Sequence, residues 1–308
     1  MMNVIICGVV KNAEANLNNN IKLALQLGSK CDSYKIVLYE NNSTDSTKQI
    51  LSGYKNNERF EIIMEHFDSV TLRQDSKIWA YTAVTGSVHP CRIEQISNAR
   101  NKLREELRRD VYAEYTYVVM IDFDAKFYLN DGIINSLYLV KENRKRVIYA
   151  NSFDYYDYYA LRSPHSEFNL FGPEVVGEPF WRNMNIKRLQ INPDSSTLVN
   201  VYSAFNGIGV YDKDVFLTYN YDALLTDDVK TAYKKIASIH PEVYEHFKPI
   251  IQKECSKFFG GEITPEFYWK NNSGYDKPVV CEHVAFNFAL FNAGYEICIN
   301  PRMLYWWN

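Results

Sequence analysis

Apolar residues near the start of the chain come in short blocks separated by longer stretches of helical spacing. Asn3–Val10 (NVIICGVV) is a β-branched run ended by Lys11-Asn12, and a helical pattern follows from Ala13 to about Gly28. Residues 34–40 (YKIVLYE) form a second strand pattern. The polar turn Asn41-Asn42-Ser43-Thr44-Asp45 comes next, with hydroxyls suited to capping a helix that runs to about Ser52. Phe60–Glu65 is a third strand, so the first part of the chain alternates β, α, β, α, β. That alternation predicts an α/β fold with a mainly parallel sheet flanked by helices.

Residues 92–109 read as a helix with Ile93, Ile96, Leu103 and Leu107 on one face. Lys102, Arg104, Glu105, Glu106 and Arg108 cover the other, which is expected to be solvated. The most apolar strand, residues 115–121, runs directly into Asp122-Phe123-Asp124. Arg146–Asn151 is another strand, and an aromatic stretch from Phe153 to Tyr159 follows it. Two strand pieces are expected around Asn206-Gly207, then a charged helical region over 227–259 that reads as an insertion or lid. Residues 260–274 look like loop, Glu282–Asn292 a helix and 295–300 a closing strand. With no internal repeat or low-complexity linker, one domain is expected over 1–308, carrying a helical insertion at about 225–272.

Composition narrows the classes. A hydrophobic share of 46% is ample for a core, and a net charge of −3 gives no general attraction to nucleic acid or anionic membrane. No run of 18 apolar residues exists, so no transmembrane helix is expected. The N-terminus lacks the basic flank and cleavage site of a signal peptide, which points to a soluble or cytoplasmic enzyme. Cys7, Cys31, Cys91, Cys255, Cys281 and Cys298 are scattered without CxxC pairing and are expected to be reduced. Glycosylation acceptor patterns begin at Asn41, Asn42 and Asn271; a glycan at the first two would sit on the loop assigned below to nucleotide binding. The Asn-, Lys- and Tyr-rich composition hints at an AT-rich genome such as that of a large virus.

In an open α/β sheet ligands lie beyond the carboxyl ends of the strands. A strand ending in Asp-x-Asp places carboxylates there, and oxygen ligands suit Mg²⁺ or Mn²⁺ on a diphosphate. Strand alternation would point Asp122 and Asp124 to one side. With 17 Asp in 308 residues, about one such triplet is expected by chance. Asp212-Lys213-Asp214, in a polar turn, is taken as that chance copy. Glu40, directly after the second strand, can accept hydrogen bonds from a base N–H or ribose hydroxyls, whereas capping alone explains Ser43, Thr44 and Asp45.

The succession of Glu40 and N-S-T-D-S-T, S-N-A-R-N on a helix, and a strand ending in D-F-D resembles the GT-A class of nucleotide-sugar glycosyltransferases. Phe153-Asp154 with Tyr156-Asp157 and Arg162, Ala204-Phe205-Asn206-Gly207, and Cys281-Glu282-His283 resemble, in order and spacing, the fungal capsule-associated mannosyltransferase family and related viral and bacterial enzymes. The resemblance covers roughly residues 3 to 300. It implies a GT-A, Rossmann-like fold and hexose transfer from UDP-hexose or GDP-mannose to a hydroxyl of a glycan or protein. By the same resemblance Val10, Lys11, Asn12, Glu40, Arg100, Asp122, Phe123 and Asn206 bind the donor. Asp122, Asp124 and His283 would hold Mn²⁺ or Mg²⁺, Glu282 and Asp154 would act at the anomeric carbon, and Asp157 and Arg162 would contact the acceptor. The family usually has two acidic residues after the second strand; here Asn41 follows Glu40, and the base stays open, as does a homodimer.

Each assignment has a plainer counterpart. Arg100 could be one more charge on a solvated helix, His283 and Glu282 could belong to a helix N-terminus, and the tyrosines could be ordinary core. The tail Tyr305-Trp306-Trp307 is either packing or a sugar platform. Rival readings are a sugar-1-phosphate nucleotidyltransferase, which would want a Gly-rich basic loop after the first strand, and a nicotinamide oxidoreductase, which would want G-x-G-x-x-G there. A non-catalytic carbohydrate-binding protein keeping the fold is the third.

Overall fold

A computed structural model of the chain describes residues 1–67, 90–184, 190–253, 261–270 and 278–307. His89, Cys255 and the acceptor pattern at Asn271 lie outside the described residues, as does the side chain of Cys91. In chain order the first elements are β1 (Asn3–Val10), α1 (Glu14–Gly28), β2 (Ser33–Asn41), α2 (Thr47–Ser52), β3 (Phe60–Glu65), α3 (Pro90–Glu106) and β4 (Tyr117–Ile121). Then come β5 (Phe127–Tyr128), α4 (Asn130–Glu142), β6 (Arg146–Asn151), α5 (Pro173–Val176), α6 (Glu178–Met184), β7 (Val199–Asn200), β8 (Ile208–Asp212) and α7 (Lys213–Thr218). The last are α8 (Asp227–Ile239), α9 (Pro241–Ile251), β9 (Gly261–Ile263), β10 (Tyr268–Lys270), α10 (Glu282–Asn292) and β11 (Glu296–Trp306).

The main sheet has the order β3-β2-β1-β4-β8-β6-β11-β5, with β7 beside β11. β3, β2, β1 and β4 run parallel, β8 is antiparallel to both β4 and β6, and β11 is parallel to β6. This is the mixed, mainly parallel sheet that the alternating pattern predicted. Strand alternation divides its core in two. Val4, Ile6 and Ile36 face α1 and α4, and Ile5, Cys7, Val37 and Tyr39 face α3 and α10. β1 is apolar throughout because both faces are covered.

Three features depart from the expected pattern. The stretch 260–274, expected to be loop, contains the β9–β10 hairpin among its described residues. The closing strand does not stop at 300 but continues to Trp306, carrying Tyr305 and Trp306 along the end of the sheet. Arg104 is buried at 2%, not solvated: it donates to the carbonyls of Phe216 (2.9 Å) and Leu217 (2.8 Å) at the end of α7. Those carbonyls have no helical partner, so a guanidinium satisfies them. The helical region near residue 230 packs into the core, with Val229, Tyr233 and Ile236 of α8 in the same cluster as Val284 of α10. None of the described helices is long and apolar enough to cross a membrane.

Gly8 lets β1 and β4 approach. A Cβ at that position would collide with the Ile121 carbonyl oxygen and the Phe123 ring. We predict that Gly8→Ala destabilises the fold by about 1–3 kcal/mol through overpacking, read as a lower midpoint in thermal or urea unfolding. An unchanged midpoint would show that this end of the sheet is loosely packed.

Candidate active site

The carboxyl ends of β1, β2 and β4 meet at one edge of the sheet, where Val10 is paired in register with Glu40. Asn12, with φ of 51°, turns the chain out of β1 and ties the two loops together. Its Oδ1 accepts from the Thr44 N–H (2.8 Å) and its own N–H donates to Ser43 Oγ (3.1 Å). Thr47 Oγ1 and an Asp45 carboxylate oxygen accept from the N–H groups of Ala13 (2.8 Å) and Glu14 (3.1 Å). The polar turn therefore caps α1 at least as much as the helix that follows it. This is a correction to the local reading, which could see only the nearer helix. Lys11 is exposed on the same loop, its ammonium lowered by partial desolvation against the pull of Glu40.

Glu40 is fully buried. One oxygen accepts from the Ser43 N–H at 2.7 Å, and the other has no partner among the described residues. A buried carboxylate oxygen without a donor is costly.

Asp122-Phe123-Asp124 lies just past the end of β4, in a turn, so strand alternation does not set its side chains. Helix α1 holds the turn by its backbone instead. Asn20 Nδ2 donates to the Phe123 and Ala125 carbonyls at 2.8 Å each, and Asn16 Nδ2 to that of Asp124 at 3.0 Å. Asp124 is exposed, Asp122 is partly buried, and the Phe123 ring is buried under Gly8. The donor-binding assignment of the Phe123 side chain is corrected accordingly: the ring belongs to the core.

Arg100 projects from α3 into this edge at 4% exposure. It pairs with Glu282 of α10 and, at 3.3 Å, with Asp122, and it lies over the rings of Phe205 and Tyr221. It is not a solvated helix charge. Burial opposes its charge, but Glu282 and Asp122 outweigh burial and hold the guanidinium firmly protonated. Among the described residues Arg100 is shared by two paired carboxylates. Removal from water pushes Asp122 up to about 7 against the pull of Arg100, with Asp124, Asp157 and Glu282 raising it further. Burial and then Glu282 push Asp157 up to about 6.

His283, next to Glu282, is 2% exposed and stacks on Phe205 with ring centroids 3.7 Å apart. Burial, and then Arg100, drive its pKa well below the usual value, so the imidazole is neutral. Neither ring nitrogen has a hydrogen-bond partner among the described residues; Nε2 is 3.8 Å from a Glu282 oxygen. Two orphaned nitrogens on a buried imidazole suit a missing ligand. Among the described residues, however, no three His, Cys, Asp or Glu side chains are grouped closely enough to hold an ion by themselves.

The remaining assignments separate. Asp157 joins the carboxylate cluster. Asp154 is exposed on the preceding turn. Asn206 is fully buried and turned inward: it accepts from the Tyr156 N–H (3.4 Å), donates to Ser152 Oγ (3.1 Å), and its backbone supports Asp157. Asn206 is thus corrected from donor contact to a positioning residue. Arg162 is corrected from acceptor contact to a core ion pair. Fully buried, it bonds Glu174 at 2.7 Å and the Tyr233 hydroxyl at 2.6 Å, and Gly172 leaves room for its guanidinium. Asp212 stands opposite Tyr117, the first residue of β4, and so at the other end of that strand from Asp122. It caps α7 and pairs with Arg144, a structural role that fits the chance copy of the motif. The sequence reading did not single out Asn16 and Asn20, although Asn20 is a polar residue on the buried stripe of α1. Tyr221, against Arg100 and His283, carried no signal.

A mixed sheet in this order, with acidic groups gathered at the carboxyl ends of its parallel strands, defines the GT-A glycosyltransferase fold. Residues 5–254 match the family model described as Cryptococcal mannosyltransferase 1, and the chain belongs to that family. Solved structures are similar to this chain at low identity. One is GalNAc-T7 with UDP, GalNAc and Mn²⁺, at TM-score 0.50 and 9% identity, covering 99% of this chain and 43% of that one. Others are S. aureus TarS 1-349 with UDP-GlcNAc (TM-score 0.41, 13% identity, 99% and 57% covered) and the mannosyltransferase PcManGT of Pyrobaculum calidifontis with GDP-Man and Mn²⁺ (0.39, 11%, 96% and 56%). The chain thus spans about half the length of these proteins. No curated protein sequence matches it significantly.

Two predictions follow from these two buried clusters. Arg162→Ala leaves Glu174 buried without its countercharge and is expected to destabilise by about 3–5 kcal/mol, measured by chemical unfolding; a loss below about 1 kcal/mol would contradict the buried pair. For Asp122, a carboxyl whose pKa is raised on folding favours the folded state while protonated and disfavours it once ionised. The penalty therefore grows as pH rises from the unfolded value near 4 through about 7. In chelator-treated protein, Asp122→Asn is expected to melt above wild type at about pH 8, with the gap closing toward about pH 5. A gap independent of pH would rule out the strained carboxylate.

Proposed function

We propose that the protein moves a hexose from a nucleotide-sugar donor, UDP-hexose or GDP-mannose, to a hydroxyl of a glycan or protein acceptor, using Mn²⁺ or Mg²⁺. The observation that carries this reading is the acidic cluster: Asp122 and Glu282 both pair with the buried Arg100, and His283 beside them is buried and neutral. A group of carboxylates beside a neutral imidazole fits a divalent cation, with Asp122, Asp124 and His283 as its protein ligands. Mg²⁺ and similar hard ions are commonly held by one or two carboxylates plus substrate phosphates, which suits a site whose described ligands do not close around an ion without substrate. Bound there, the ion would act as a Lewis acid on the donor diphosphate.

The chain's own groups have distinct tasks. Glu40 accepts from base or ribose through its unanswered oxygen, and the Asn12–Ser43–Thr44 link holds that loop in place. Arg100 presents a fixed positive charge to the leaving diphosphate, already desolvated and so strong. Glu282, bonded to Arg100, and Asp157, held by the N–H groups of Ala160 and Asn206, are the carboxylates near which the sugar carbon and acceptor hydroxyl would lie. A pKa raised to about 6 suits Asp157 to taking a proton near neutral pH. On these grounds Asp157 displaces the exposed Asp154 as the second carboxylate of the reaction.

The test is nucleoside diphosphate release from UDP-glucose, UDP-galactose and GDP-mannose, with and without Mn²⁺. Release with at least one donor, dependent on the ion, is expected. Asp124→Ala should lose about 10²-fold or more of it, whereas Asp212→Ala should keep the ion dependence while lowering stability. Absence of release from every donor, together with no thermal shift from UDP, GDP or Mn²⁺, would sink the enzyme reading and favour a carbohydrate-binding protein. Equal loss in both variants would remove the special standing of Asp124.

A further inference from the structure

The end of β11 carries aromatic rings on both faces. On one face Tyr305 and Trp307 flank Tyr156 in stacked contacts, and the Tyr305 hydroxyl donates to the Asp122 carbonyl at 3.4 Å. This row borders the carboxylate cluster. On the other face Trp306 touches Phe127 (centroids 5.6 Å apart) and Phe153 (5.4 Å), a strip that the mechanism above does not use. Phe153 is 61% exposed and Phe127 41%. Pairing of β5 with β11 holds Phe127 against Trp306, so the strip is built into the sheet. Its rings have open faces.

Phe127 also lines an open cleft of about 460 Å³ between α1, α4 and β11, together with Gln26, Lys30, Asn130 and Arg302. The walls alternate apolar carbon with amides and charges. Asn130 donates to the Leu23 carbonyl (3.0 Å), while its Oδ1 has no partner. Rings rimmed by charged groups differ from the charge-depleted centre of a protein interface and from the continuous apolar face that lies on a membrane. They match a pyranose, whose C–H face packs on an electron-rich ring and whose hydroxyls pair with amides, carboxylates and guanidinium groups.

We propose that the Phe127–Trp306–Phe153 strip and its adjoining cleft form a carbohydrate subsite that holds an oligosaccharide acceptor beyond the bond being formed. The word acceptor rests on the proposed glycosyl transfer; the sugar-binding surface does not. One loop connects the two places, since Phe153 lies on the strip and Asp157, four residues later, in the carboxylate cluster. Four residues span at most about 14 Å, a separation within the reach of a chain of a few sugar rings. The substrate class is an extended glycan.

Saturation-transfer NMR tests this with methyl α-mannoside, mannotriose and maltotriose as probes. At least one trisaccharide should receive saturation on its ring C–H protons and bind more tightly than the monosaccharide. Phe153→Ala and Trp306→Ala should each weaken trisaccharide binding about tenfold, with circular dichroism confirming the fold, and Phe153→Tyr should restore it. No transfer to either trisaccharide, or transfer unchanged in both alanine variants, overturns the subsite. Diphosphate release is measured on the same wild-type protein. Release without sugar contact on the strip sinks this inference alone, and sugar contact without release sinks only the transferase reading.

Discussion

A guanidinium taken out of water must find its countercharges within the protein, and Arg100 finds them on two elements distant in sequence. It joins α3 to the turn after β4 through Asp122 and to the first turn of α10 through Glu282. Both carboxylates pair with the same guanidinium, so the three elements are bound to one geometry. The aromatic rings of Phe205 and Tyr221 close around the cation, and His283 stacks on the first of them. The raised pKa values of Asp122 and Asp157 come first from removal from water, with neighbouring carboxylates adding to it.

The scaffold beneath this cluster is held mainly by backbone groups. Asn16 and Asn20 grip the carbonyls of the acidic turn, and the loop after β2 caps the helix after β1. Gly207, with φ of 87°, belongs to the same design. Its missing side chain gives the Tyr305 ring its place, and a Cβ there would overlap the ring. Tyr305 in turn reaches the Asp122 carbonyl. Acidic side chains mounted on a backbone held in this way stay close to one another.

The strands and their order of appearance were legible because burial on both sides of a sheet demands uninterrupted apolar runs. Glu40, Arg100, Asp122 and Glu282 were legible as polar residues placed at or just beyond such runs, or on helices opposite them. Arginine was the residue type most often misjudged. Arg100, Arg104 and Arg162 look alike in a string of letters, yet one lies in the site, one closes the end of α7 and one forms a core ion pair. Each role depends on a partner supplied from elsewhere: Glu282 for Arg100, Phe216 and Leu217 for Arg104, and Glu174 with Tyr233 for Arg162. Local spacing carries no information about those partners. Asn206 was misjudged for a related reason, since its side chain turned inward to support the neighbouring loop.

By itself the sequence determined the secondary structure at the sheet centre, the class of fold and the set of acidic residues that could meet at one edge. These follow from hydrophobic periodicity and from residue chemistry, both of which are local. Only the tertiary structure decided that Asp157 is buried within the influence of Glu282, that Phe123 packs inward, and that Asp212 stands at the far end of β4. It also decided that the last residues extend a strand with aromatic rings on both faces. The physical reason is common to all four. Burial and electrostatic coupling are properties of pairs and clusters, and those clusters form only when distant segments pack together.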